Sequence, residues 1–189
     1  MIITAFFIFG ACIGSFLNVC ILRIPEGKSI VRPPSSCPEC GDRIPFYCNL
    51  PVISYLFLKG RCRNCSTRIS IRYPLVEILT GFLAAALYIR FGLSPDTAIW
   101  FVLICTLLVI SFIDLDHQII PDILSLPGIP VFMLFSVLTH QLTFIQSLTG
   151  ILAGGGALYL VGLIYYLLKK TEGMGGGDIK LLAMIGAAV

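Results

Sequence analysis

Charge is what this chain has least of. Only 12% of its 189 residues are Asp, Glu, Lys or Arg, against about a quarter in a soluble globular domain. Hydrophobic residues make up 57% and the mean hydropathy is +0.96. That balance excludes an ordinary water-soluble domain and points to an integral membrane protein, whose apolar faces are taken up by lipid. Histidine is nearly absent: His117 and His140 are the only two. No H-E-x-x-H zinc-hydrolase motif can be formed, and a Ser-His-Asp triad is hard to build. A dinucleotide-type glycine motif following a strand, the mark of a conventional methyltransferase or dehydrogenase fold, is also missing. The start of the chain lacks the basic n-region and clear small-residue cleavage site of a signal peptide, so its apolar run reads as a retained first span.

The scarce charge is concentrated. Nine of the thirteen Lys and Arg lie from Arg23 to Arg72, with only Glu26, Glu39 and Asp42 as acids among them. A basic cluster beside membrane spans faces the cytoplasm under the positive-inside tendency. Nucleic-acid binding is the other use of a basic patch, but no aromatic residues interleave with the cations here. The chain therefore divides into a first transmembrane helix over 1–22, a cytoplasmic polar segment over 23–72, and a membrane core over 73–189. Prolines at 25, 33, 34, 38, 45 and 51 predict little helix in the polar segment. Spans in the core are expected at about 74–91, 97–113, 123–139 and 148–168, with an incomplete one over 178–189. Pro74 suits the first position of its helix. The last run is too short to cross a bilayer, so a partial chain is expected rather than a re-entrant helix.

With residues 23–72 in the cytoplasm, span parity places the loops at 114–122 and 169–180 on that same side. Lys169, Lys170 and Lys180 agree, and His140 falls on the opposite face. Two groups of candidate residues then share the cytoplasmic side. The first is "CPEC" at 37–40 and "CRNC" at 62–65. Two C-x2-C pairs bring four thiolates to one metal, the donor set of a closed structural zinc site. Such a site folds a segment that cannot build its own core. Free thiols or redox pairs are the plainer alternative. Cys48 stands apart as a packing residue, and Cys12, Cys20 and Cys105 lie in apolar runs.

The second group is acidic. "FIDLDHQIIPD" holds Asp114, Asp116 and Asp122, and "GMGGGDIK" holds Asp178. Asp122 looks like a helix N-cap, Asp116 like loop surface, and Asp114 lies nearest the membrane. Asp178 could also be a cap. Gly173, Gly175, Gly176 and Gly177 favour instead a place where another backbone comes close. Two carboxylates brought together have their pKa values pushed apart, so one acts as base and the other as acid. That is aspartyl-protease chemistry. Acids at membrane helices also serve ion-coupled transporters, and a zinc knuckle can be a non-enzymatic scaffold; both remain alternatives from these residues alone.

The ordered motifs "GACIGSFLNVCILRIP", "CPEC", "CRNC", "RYPLVEILTG", "FIDLDHQIIPD" and "GMGGGDIKLLAMIGA" resemble the bacterial type 4 prepilin leader peptidases, and they cover nearly the whole chain. The resemblance implies an all-α polytopic membrane protein of eight spans, more than this chain contains, with a small cytoplasmic zinc-knuckle domain inserted after the first transmembrane helix. It implies Asp114 and Asp178 as catalytic, and Cys37, Cys40, Cys62 and Cys65 as zinc ligands. The implied activity is cleavage of type IV prepilins and type II secretion pseudopilins after glycine. Methylation of the new N-terminus by S-adenosylmethionine follows in the bifunctional subgroup; a peptidase without it is the alternative. Gly14 and Glu77, flanking the polar segment, are candidates for the methyl-donor site, although Gly10, Gly14 and Ser15 equally suit helix packing. Lys180 is expected to meet a leader carboxylate or to snorkel to the interface. The implied location is the bacterial inner membrane, with lipid and the prepilin substrates as partners and no nucleic acid.

Overall fold

A computed structural model describes residues 1–37, 39–45, 50–170 and 175–189. Gly173 and Cys48 lie outside the described residues. Helices account for nearly all of the regular structure. They are α1 (Ile2–Arg23), α2 (Ile53–Phe57), α3 (Arg72–Phe91), α4 (Pro95–His117), α5 (Asp122–Leu138), α6 (Phe144–Ile151), a π-helical turn (Leu152–Gly156), α7 (Ala157–Lys169) and α8 (Gly176–Ala188). Among the described residues, four helical stretches are long and apolar enough to cross a membrane: Ile2–Arg23, Arg72–Phe91, Pro95–His117 and Phe144–Lys169. α5, with 17 residues, is a shorter apolar helix. This is an all-α, multi-pass membrane chain. It forms two compact units, Met1–Val109 and Ile110–Val189.

In the first unit α1 packs on α3 through glycines. A Cβ on Gly10 would stand 2.6 Å from Ala84 Cβ, and one on Gly14 only 2.7 Å from Glu77 Cα. Lipid offers helices no hydrophobic reason to associate, so close backbone approach over small residues supplies the packing. Thr80, fully buried at this seam, turns its hydroxyl back to the Val76 carbonyl at 2.7 Å. Further along, Phe6 stacks on Tyr88 and Phe7 meets Phe82 edge-on. Arg23 closes α1 by donating to the Ser29 and Pro33 carbonyls. α3 opens at Arg72, which makes Pro74 its third residue rather than its first. Ser94 heads α4 by accepting from the Thr97 amide at 3.4 Å.

In the second unit α8 is the element the others wrap. Met184 is fully buried, with its sulfur against Gly128 between Pro127 and Pro130 of α5. Gly150 and Gly186 meet backbone to backbone, and Gly154 lies on the Leu182 carbonyl. The π-helical turn sits in this glycine-rich contact. Ser147 of α6 donates to the Ala187 carbonyl of α8 at 2.7 Å, and Ser136 of α5 to that of Ala188 at 3.5 Å. α6 starts four residues ahead of the expected 148, on a capping box in which Thr143 and Gln146 bond each other's backbone amides.

Candidate active site and metal centre

The two cysteine pairs are built alike. In the first, Ser36 and Arg43 form an antiparallel bridge around the pair; in the second, Arg61 and Arg68 do the same. The Cys37 amide donates to the Asp42 carbonyl at 2.9 Å, and the Cys62 amide to that of Thr67 at 2.8 Å. Gly41 and Ser66, each directly after the second cysteine, both take a left-handed conformation at φ +69° and +58°. Each pair is thus a tight knuckle that aims two sulfurs the same way. The four Sγ atoms of Cys37, Cys40, Cys62 and Cys65 lie within 4.8 Å of one another.

Zinc bonded to four thiolates at about 2.3 Å sets the sulfurs about 3.8 Å apart. Cys37 Sγ and Cys65 Sγ stand 3.8 Å apart. The donor set also fits a cation electrostatically. The Thr67 hydroxyl and amide draw the Cys65 thiol down to about 6. At Cys40 the Asp42 backbone favours the thiolate, but desolvation and the neighbouring thiols win and push it up to about 11. Four sulfurs at this spacing cannot all ionise unless a cation shares their charge. The cluster is a metal-binding candidate by geometry and by donor chemistry.

The acidic motifs meet inside the second unit. α4 runs four residues past the expected 113, so Asp114 and Asp116 lie on its last turn and not in a loop. Gln118 stops the helix in a left-handed conformation, φ +54°, with its amide on the Asp114 carbonyl at 2.8 Å. This is the αL way of ending a helix. The chain then extends through Ile119 and Ile120 to Pro121. At Ile120 it reaches the glycine segment: a Cβ on Gly177 would fall 2.8 Å from Ile120 Cβ. One of the glycines is therefore needed for a contact within the chain, while Gly176 faces open space.

Asp178, beside Gly177, occupies the third position of α8, and Gly175 takes the N-cap place with no side-chain cap. The helix dipole favours a carboxylate in that first turn. Asp114 and Asp178 are both exposed. Asp122 is the first residue of α5 and Pro121 its N-cap, which corrects the expectation that Asp122 caps. Its carboxylate instead receives Lys180 Nζ on both oxygens, at 2.7 and 2.8 Å. Lys180, the fifth residue of α8, thus fastens the start of that helix to the first turn of α5. Sequence reasoning missed this pair. Its signal was a lysine two residues beyond Asp178 and an aspartate closing the other loop expected on the same membrane side.

Glu77 and Gly14 lie at the seam of α1 and α3. The face of Gly14 is filled by α3. Glu77 is buried, and its carboxylate accepts from the Val52 amide at 2.8 Å and from the Ser15 side chain. Val52 takes φ +61°, rare for a β-branched residue, so this bond holds an unfavourable turn just ahead of α2. Nearby, buried Asn18 ties α1 to the Tyr73 carbonyl at 3.0 Å.

Two family descriptions divide the chain much as these motifs do. Residues 8–91 match the bacterial peptidase A24 N-terminal domain. Residues 101–189 match the type IV leader peptidase family. A prepilin leader peptidase/N-methyltransferase of Myxococcus xanthus is 41% identical, over 96% of this chain and 54% of its own length. Proteins of the same description from Neisseria gonorrhoeae and Pseudomonas putida are each 36% identical, over 95% and 98% of this chain and 71% and 72% of theirs. The chain thus spans about half the length of the first of these relatives and about seven-tenths of the other two. No solved structure matches. With both aspartate motifs in contact, the four cysteines gathered and both halves matched in order, the chain belongs to the type IV prepilin leader peptidase family.

Proposed function

We propose that this chain carries the aspartyl peptidase of its family and cleaves the basic leader of type IV prepilins and type II secretion pseudopilins after glycine. The observation that carries the reading is the meeting of the two acidic motifs through Gly177 with Ile120 and Lys180 with Asp122. Asp114 and Asp178 are the catalytic pair. One carboxylate takes a proton from water, whose oxygen attacks the scissile carbonyl. The other, protonated, hydrogen-bonds that carbonyl oxygen, and a proton passes to the leaving amine as the bond breaks. Asp116 has no catalytic task in this scheme. Lys180, paired with Asp122, links α8 to the start of α5 beside this pair of motifs.

The expected membrane face follows from span parity: the acidic pair and the cysteine module both lie on the cytoplasmic side of the inner membrane. A substrate's apolar helix then rests in lipid while its scissile bond meets water at the interface. Cys37, Cys40, Cys62 and Cys65 hold zinc, which organises residues 23–72 and leaves no open coordination position for chemistry. The relatives' N-methyltransferase description supports a second step, methylation of the new N-terminal amine, for which S-adenosylmethionine supplies the methyl group. Glu77 contributes there by holding the Val52 turn at the edge of the module, and Gly14 by letting α1 approach it.

Co-expression with a pilin-like substrate, read by intact mass, tests both activities at once. Loss of the leader and a further methyl group are expected. A substrate of unchanged mass, with the chain inserted and folded, rejects the peptidase reading in favour of a transporter or scaffold.

A further inference from the structure

Neither the peptidase nor the metal centre uses α2, yet α2 is built the wrong way round for water. Its Ile53, Leu56 and Phe57 are exposed, Phe57 at 84% and Leu56 at 68%. Leu50, also exposed, precedes Ile53 by three residues. Residues three and four apart share one face of a helix, so Ile53, Leu56 and Phe57 make one apolar stripe, with exposed Leu50 just ahead of it. The opposite side of α2 faces the module: Tyr55 lies over Gly60, and its hydroxyl donates to the Ile69 carbonyl at 3.4 Å. Exposed Lys59 and Arg61 follow directly.

The position of α2 indicates what covers the stripe. Val52, the residue ahead of α2, donates its amide to Glu77 at 2.8 Å. Glu77 lies roughly 7 Å along the axis of α3 from Arg72, at about 1.5 Å per residue. α3 is one of the helices long and apolar enough to cross a membrane. α2 therefore begins level with the second turn of a spanning helix. With Arg72, the cation that opens α3, taken as the headgroup level, this falls within the about 5–10 Å to which interfacial helices bury their apolar face. Cations at that level favour anionic headgroups.

We infer that α2, with Leu50, is an interfacial anchor: its stripe lies in the acyl boundary of the bilayer, and Lys59 and Arg61 meet anionic phospholipid headgroups. The anchor holds the cysteine module against the membrane surface. It depends on the spanning helices alone and stands or falls separately from the peptidase reading.

The test uses the whole chain in phospholipid nanodiscs. Its single tryptophan, Trp100, is replaced by Phe, and Phe57→Trp is introduced as reporter; Leu56→Trp is an independent second reporter on the same face. Nanodiscs are made with or without bromine on the acyl chains, from phosphatidylcholine alone or mixed with phosphatidylglycerol. Emission from both reporters is expected to fall by about half in brominated lipid, and further when phosphatidylglycerol is present. Emission typical of an indole in water, indifferent to bromine at both positions, overturns the inference. So does emission indifferent to bromine that shifts only on adding an apolar pilin-like peptide, which would make the stripe a protein-docking face.

Discussion

Lys180 Nζ contacts both carboxylate oxygens of Asp122, at 2.7 and 2.8 Å, and so joins two helix starts that are far apart in the chain. The pair is partly exposed, with side chains 33% and 57% accessible. Screening by solvent limits an exposed pair to about 1 kcal/mol or less of stability. Its weight lies in position, since Asp178 and Lys180 share the first turns of α8 and Asp122 follows directly on the turn that reaches Gly177.

Lys180→Met is therefore expected to lower leader cleavage several-fold while thermal stability in detergent falls by no more than about 1 kcal/mol. Exchanging the charges, Lys180→Asp with Asp122→Lys, should recover part of the lost kcat. A swapped enzyme no better than Lys180→Met would show that the ion pair does not position the site.

Asp114→Asn and Asp178→Asn should each reduce cleavage by about a hundredfold or more, because each removes one partner of an acid–base pair. Asp116→Asn should keep most of the activity. Cleavage rates on a purified prepilin, alongside proof of membrane insertion, decide it; near-normal turnover by Asp178→Asn would end the aspartyl mechanism.

Metal analysis of the purified chain should find about one zinc per molecule. Cys37→Ser with Cys40→Ser should release it and open residues 23–72 to proteolysis, whereas Cys48→Ser should not. Retention of zinc after loss of both knuckle cysteines would contradict the four-sulfur site.

Gly14→Ala should cost about 1–3 kcal/mol, the usual range for overpacking, because its Cβ would meet the backbone of α3 at Glu77. Unfolding in detergent reads the cost. Cleavage and methylation are expected to decline together. Loss of methylation alone, at unchanged stability, would make Gly14 part of a donor site instead.

Asp114→Asn should still methylate a synthetic mature peptide, since the proposed methylation residues Gly14 and Glu77 are in a different unit from the aspartates. Labelled S-adenosylmethionine measures it. An absence of label from a folded, metal-loaded enzyme would place an aspartate in both reactions, as base for an ammonium that cannot attack until deprotonated.

The sequence by itself determined the membrane class, the helical spans and the cysteine knuckles, because these depend on local information. An apolar run long enough for a bilayer is a span whatever surrounds it, and a C-x2-C pair carries its turn in its own spacing. It also offered Asp178 as a candidate through the glycines beside it. Tertiary structure decided what periodicity could not express. It extended α4 through His117, because Gln118 can end the helix in a left-handed turn, and so placed Asp114 on a helix. It made Asp122 a partner of Lys180 and not a cap, because a carboxylate at a helix start goes to the strongest nearby donor, and that donor arrives from another helix. It spent Gly177 on Ile120 and Gly14 on α3, contacts set by which helices pack together and not by any neighbour in the chain.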